Sequence, residues 1–207
     1  KKATDLPSGT YRNIMGNQAL CLGLVAAVNR ADLSMVLGSY PITPASDILH
    51  QLSGYKHHGG ITFQAEDEIA ACAFAIGASY AGKCAVTITS GPGYSLKQEG
   101  IGLAVMGEIP LVVVNVQRGG PSTGMPTKPA QSDIMQARWG SHGDHPLIVL
   151  TPASVKEIYS ETIRAFNLSE AYRVPVIVTF DQIVAQPTGV GNLGLTPYSF
   201  NYTGDGT

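Results

Sequence analysis

Six short runs rich in β-branched residues recur along this 207-residue chain, each ending at polar or turn residues and each followed by a helical pattern. They are MVLGSY (35–40), ITFQ (61–64), CAVTITS (84–90), LVVVNVQ (111–117), LIVL (147–150) and VPVIVTF (174–180). Apolar residues stand at both odd and even positions of these runs, so each strand has to bury both of its faces. The helical patterns cover 17–29, 44–52, 66–81, 94–105, 130–138 and 153–166. Asn17 reads as an N-cap, Pro44 as a first helical residue after Thr43, and Thr151 or Ser154 as the opening of the last helix. Doubly apolar strands separated by helices imply an α/β fold: a doubly wound, mainly parallel six-stranded sheet with helices on both faces. With 44% hydrophobic residues, the chain can bury one substantial core, and it reads as a single domain.

Charge and cysteine usage narrow the function classes. A net charge of −2 without a polybasic stripe argues against a nucleic acid or an anionic membrane surface as partner. No run of about 20 apolar residues is present, so no membrane span is expected. Cys21, Cys72 and Cys84 lack CxxC spacing and each sits in an apolar segment, so they read as reduced core residues of a cytoplasmic protein. The opening at Lys1 and the ending NYTGDGT read as cut ends of something longer, giving 1–15 as a linker or fragment edge, 16–187 as the domain, and 188–207 as a tail or linker.

Right-handed crossovers place the strand-to-helix loops of such a sheet along one edge, where ligands bind. The unusual residues lie in those loops: GSYPITPAS (38–46), QAEDE (64–68), TSGPG (89–93) and QRGGPSTGMPTKP (117–129). Together they bring hydroxyls, carboxylates, a guanidinium and free backbone amides to one crevice, as a small-molecule site requires. The helix after QAEDE is built from Ala70, Ala71, Ala73, Ala75, Gly77 and Ala78, which lets another backbone approach closely. Taken singly, each loop has a plainer reading. YPITP is also a proline turn, Glu66, Asp67 and Glu68 are also first-turn acids facing a helix dipole, TSGPG lacks a phosphate-loop spacing, and Arg118 can pair with any surface acid. In SHGDHP, His142, Asp144 and His145 have metal-ligand chemistry but no third carboxylate or HExxH spacing, and a polar turn explains them as well.

Read together and in order, YPITPASDILHQL, AEDEIAACAFAIGASYAGK, TSGPGYSLKQEGIGLA and PLVVVNVQRGGPSTGMPTKPAQSD resemble the α subunit of 2-oxoacid:ferredoxin oxidoreductases, in its pyrimidine-binding thiamine diphosphate domain. The resemblance runs from about Gly16 to Gln186 and is greatest to the 2-oxoglutarate, KorA-like type. The segment GNQALCLGLVAA resembles the junction at which some members fuse a preceding γ-type domain.

The resemblance implies roles for particular residues. In this group one glutamate holds N1′ of the aminopyrimidine, and counting back nine residues from the helix glycine Gly77 gives Glu68 as the catalytic and cofactor-binding acid, with Glu66 as the alternative. Ser90 and Gly91 are expected to shape the cofactor's surroundings, Thr43 to approach the substrate, and Arg118 to receive the 2-oxoacid carboxylate through its planar fork. Ser122 and Lys128 border the loop expected over the substrate. The family's diphosphate half needs GDG followed by an asparagine, and here GDG occurs only at Gly204, Asp205 and Gly206, where it reads as coincidence. No cysteine array is present to hold an iron–sulfur cluster. The resemblance therefore implies no metal on this chain, with Mg²⁺, the diphosphate half-site and a 4Fe–4S cluster on a β-subunit partner in a hetero-oligomer. It also implies a 2-oxoacid, CoA and ferredoxin as reaction partners. A pyruvate- or indolepyruvate-type oxidoreductase, an acetolactate synthase-like enzyme and a non-catalytic α/β assembly module are the competing readings.

Overall fold

A computed structural model of the chain describes residues 12–186 and 188–191. In chain order the elements are β1 (Arg12–Met15), α1 (Gly16–Ala31), β2 (Met35–Ser39), α2 (Ser46–Ser53), a 3-10 turn (Lys56–His58), β3 (Gly60–Gln64), α3 (Glu68–Tyr80), β4 (Cys84–Thr89), α4 (Gly91–Leu96), α5 (Gln98–Met106), β5 (Leu111–Gln117), α6 (Ile134–Trp139), β6 (Ile148–Leu150), α7 (Val155–Tyr172), β7 (Pro175–Asp181), α8 (Gln182–Ala185) and β8 (Thr188–Gly191). The six expected strands form one sheet in the order β3-β2-β4-β5-β7-β6, with every pairing parallel. Every residue of β2, β4, β5 and β7 is buried, as strands covered on both faces require.

Two apolar layers explain that burial. On one face α1, α2 and α7 cover Leu37, Val86, Val112, Val114 and Val176. On the other, α3, α4 and α5 cover Ala85, Leu111, Val113 and Ile177, with Tyr94 and Ile101 wholly enclosed. The small-residue character of α3 has the expected use. Gly38 of β2 lies so close to the Ala71 carbonyl that a β-carbon there would collide with it. All three cysteines are buried free thiols, Cys21 and Cys84 in the first layer and Cys72 in the second.

Element ends depart from the sequence expectation where tertiary contacts decide them. Helix α1 starts at Gly16, after Met15, and Asn17 does not cap it. Gly16 lies against the Val184 carbonyl, and the Asn17 amide reaches 3.0 Å to donate to the Pro44 carbonyl. Pro44 is not a first helical residue either, because α2 begins at Ser46. The intervening turn closes on Ile42, whose carbonyl accepts from the amides of Ala45 and Ser46. Ser154 does open α7, accepting from the Glu157 amide at 3.2 Å. The expected 94–105 helix begins three residues earlier, inside the glycine-proline loop, and is interrupted at Lys97.

Strands β1 and β8 were not anticipated. They pair antiparallel, Arg12 opposite Gly191 and Met15 opposite Thr188, and so lie on either side of the expected 16–187 body. The Gly204-Asp205-Gly206 sequence falls outside the described residues.

Candidate active site

In the sheet order, β3 lies to one side of β2 and β4 to the other, so the chain reverses its winding direction between β2 and β4. Crossovers diverge at such a point and leave a crevice at the carboxyl ends of the strands. The loops after β2, β3, β4 and β5 meet there.

The acidic cluster after β3 separates into three roles. Glu66 is exposed. Asp67 is the N-cap of α3, its carboxylate accepting from the Ala70 amide at 2.7 Å. Glu68 is the first helical residue and is buried, yet its carboxylate makes no hydrogen bond among the described residues. A carboxylate in the first turn is favoured by the partial positive charge of the helix N-terminus, which offsets part of its desolvation. Its side chain rests on Gly93: a β-carbon there would lie 2.7 Å from Glu68 Cγ and 2.8 Å from Oε1, and would collide with Thr89 Oγ1. Ser90 stands at the N-cap position of α4, and Gly93 within its first turn leaves the space that the Glu68 side chain fills. Ser90 Oγ is buried without a protein partner.

Arg118 follows β5 and spans the crevice. Its Nη1 donates to the Thr43 carbonyl at 2.6 Å and its Nη2 to the Thr123 carbonyl at 2.9 Å, while Nε is buried without a partner. Thr43 itself is exposed and contributes its carbonyl to this tie, with its hydroxyl left free of protein bonds among the described residues. Burial pulls the guanidinium below its ordinary pKa, opposed by the charges of Asp133 and then Glu68. Beside Arg118 opens a cavity of about 730 Å³, with Gly91, Ser95, Ser122, Asp133 and Gln136 in its walls. Ser122 borders this cavity, whereas Lys128, on the same loop, is exposed. Lys128 acts through its backbone, accepting from the Gly119 amide at 2.8 Å and so closing the loop. Gly124 in that loop has φ +58° and lies against the Gly119 carbonyl, a position with no room for a side chain.

Several contributors escaped the sequence reading. Asp133 sits in the cavity wall and accepts from Asn115 Nδ2 at 3.0 Å, while its amide donates to Gln117 Oε1 at 3.2 Å. Asn115 and Gln117 are polar residues in an otherwise apolar strand, LVVVNVQ, and buried polar side chains require partners; that was the available signal. Lys97 is completely buried behind Glu68, donating to the Glu68 carbonyl at 2.9 Å and to Thr87 Oγ1 at 3.0 Å. By contrast, His142 and Asp144 are exposed, and His145 Nδ1 lies 2.9 Å from the Gly143 carbonyl. Among the described residues no three His, Cys, Asp or Glu side chains gather as a metal set, and no helix is long and apolar enough to cross a membrane.

A parallel, doubly wound sheet with its polar groups collected at the switch point defines a small-molecule-binding α/β domain, and comparison with known proteins specifies which one. Residues 27–189 match the family model described as pyruvate flavodoxin/ferredoxin oxidoreductase, thiamine diphosphate-binding. The chain belongs to this thiamine diphosphate-binding family. It is 53% identical over 180 residues to the 2-oxoglutarate oxidoreductase subunit KorA of Mycobacterium tuberculosis, covering 87% of this chain and 28% of that protein. Against the 2-oxoglutarate synthase subunit KorA of Methanothermobacter thermautotrophicus it is 52% identical, with coverages of 83% and 44%. A solved structure of 2-oxoglutarate:ferredoxin oxidoreductase from Magnetococcus marinus, with 2-oxoglutarate, coenzyme A and succinyl-CoA bound, superposes with a TM-score of 0.82 at 46% identity, covering 87% of this chain and 31% of that one. The chain thus spans less than half the length of these relatives.

Proposed function

We propose that this chain is the pyrimidine-binding part of a 2-oxoacid:ferredoxin oxidoreductase. The reaction is oxidation of a 2-oxoacid with CoA to an acyl-CoA, releasing CO₂ and a proton and passing two electrons to ferredoxin. The observation that carries the reading is the carboxylate of the buried residue Glu68, packed against Gly93 and without a hydrogen bond among the described residues, in a domain of a thiamine diphosphate-binding family. Five relatives named for 2-oxoglutarate are 51–53% identical and the solved 2-oxoglutarate enzyme is 46% identical, whereas three named only for 2-oxoacids are 40–43% identical, which favours 2-oxoglutarate over pyruvate or indolepyruvate as substrate.

The residues fit the aminopyrimidine half of the cofactor. Glu68 supplies an acceptor where Gly93 leaves room for it, and Ser90 Oγ and Arg118 Nε are buried polar atoms without a hydrogen-bond partner among the described residues. Thiamine diphosphate, when bound, supplies the carbanion chemistry at the 2-oxo carbon. Glu68 holds the proton at N1′, and of the two acids it is preferred to Glu66 because Glu66 faces solvent. Ser90 and Gly91 would border the ring. Arg118 retains three N–H donors beyond its two carbonyl bonds and orients the 2-oxoacid carboxylate, with the Thr43 hydroxyl as a neutral donor beside it. Mg²⁺, the diphosphate-binding residues and a 4Fe–4S cluster belong to a β subunit in a cytoplasmic hetero-oligomer.

The test is Glu68→Gln in the complete complex. Assembly is expected to survive and turnover with 2-oxoglutarate to fall by about 10²–10⁴-fold, the usual worth of positioned acid–base assistance. Normal turnover in that variant removes Glu68 from the mechanism, and a wild-type complex more active on pyruvate than on 2-oxoglutarate overturns the substrate assignment.

A further inference from the structure

Lys97 stands at the junction of α4 and α5 and is fully enclosed. Its ammonium has only neutral hydrogen-bond partners, the Glu68 carbonyl of α3 and the Thr87 hydroxyl of β4. The ion pair of Arg164 with Glu161 lies far along the chain on α7. An enclosed ammonium without a carboxylate partner is costly, whereas methionine or leucine would fill the same space without burying a charge. Core packing alone therefore does not account for it.

Its position does. The nitrogen touches the residue proposed to grip the cofactor, and it touches the backbone, behind the carboxylate. Through the two bonds it clamps the first turn of α3 to β4, while the chain just before it, at Gly93, forms the cradle on which the Glu68 side chain rests. We infer that Lys97 is a positioning residue for Glu68: its ammonium fixes the first turn of α3 against β4 and sets the carboxylate for the aminopyrimidine. This rests on the assignment of Glu68 made above.

Titration supports the geometry. Burial lowers the Lys97 pKa to about 8, with Cys72, Glu68 and Asp67 pulling the other way. Those three lie on α3 or at its cap; β4 contributes the uncharged Thr87, Glu99 of α5 acts on Cys72, and Glu68 acts on Arg118. The ammonium is present below pH 8 and lost above it, and with it go the charge-assisted bonds.

The experiment measures the calorimetric affinity of the cofactor-free complex for thiamine diphosphate between pH 7 and 9. Binding is the better readout because the CoA thiol titrates in the same range and would obscure turnover. Wild type is expected to lose affinity with a midpoint near pH 8. Lys97→Met is expected to bind roughly tenfold or more weakly at pH 7, the worth of a charge-assisted bond, and to show no pH dependence. Thr87→Val keeps the shape but removes one acceptor from the ammonium, so its midpoint is expected at lower pH, and it decides the matter if Lys97→Met fails to assemble. Wild-type affinity and pH dependence in Lys97→Met, or an unmoved midpoint in Thr87→Val, overturns the inference. If Glu68→Gln binds and turns over normally, the underlying site assignment fails instead.

Discussion

Arg118 carries two duties at once. It straps the loop after β2 to the loop after β5 through the Thr43 and Thr123 carbonyls, and under the proposed function it also receives the substrate carboxylate at the cavity it lines. Lysine offers a point charge and no fork. Arg118→Lys is therefore expected to raise KM for the 2-oxoacid at least tenfold while changing KM for CoA little, measured by steady-state kinetics of the complex; equal rises for both substrates would argue against carboxylate recognition. At this scale the reading of the sequence was uneven for physical reasons. Glu68, Thr43, Ser90, Gly91 and Arg118 stood in unusual loop strings and could be picked out. Lys97 stood in YSLKQEG, where it reads as one more solvated helix charge, and only the three-dimensional path of the chain brings it under α3. Asp133 was hidden likewise, because its partners Asn115 and Gln117 lie on a strand 16–18 residues away.

The elements were legible wherever local pattern and burial agree. All six sheet strands and their intervening helices follow from apolar periodicity, because a parallel sheet demands it. What periodicity does not specify is where a helix begins when a distant carbonyl decides, as at Gly16, or a local turn does, as after Ile42, or that a glycine-proline loop is itself the first turn of α4. That last point yields a test. Gly93 is helical, so alanine should favour α4 by up to about 1 kcal/mol on propensity alone. Its β-carbon would nevertheless displace the Glu68 side chain and Thr89 Oγ1. Gly93→Ala is expected to assemble normally and to weaken thiamine diphosphate binding by roughly an order of magnitude, as read by calorimetry; unaltered affinity would mean that the carboxylate can be set from elsewhere. The β1–β8 ribbon was missed because its strands are short and 172 residues separate their closest paired positions, Met15 and Thr188, leaving no local signature.

For the molecule as a whole, burial of ionisable groups sets the alkaline limit of stability. Burial pushes the Cys84 thiol and the Tyr94 phenol up to about 12, and the thiols of Cys21 and Cys72 upward as well. These groups ionise at lower pH in the unfolded chain, so their contribution is intact below about pH 9 and declines as pH rises toward 12. Lys97 acts with the opposite sign: held at about 8 in the fold against 10.5 free, it adds stability between those values. Three thiols and a phenol outweigh one amine. The urea midpoint is expected to hold or rise slightly from pH 8 to 9 and to fall above that, and Lys97→Met should abolish the early rise. A midpoint constant to pH 11 would mean that the thiols ionise within the folded chain.

The antiparallel pairing of β1 with β8 has a further consequence. Backbone enters and leaves the folded body through neighbouring, hydrogen-bonded positions, so the unit is a self-closing cassette whose two ends need no spacing of their own. Such a cassette tolerates very different flanking lengths, in keeping with relatives of which it makes up anywhere from 28% to 48%.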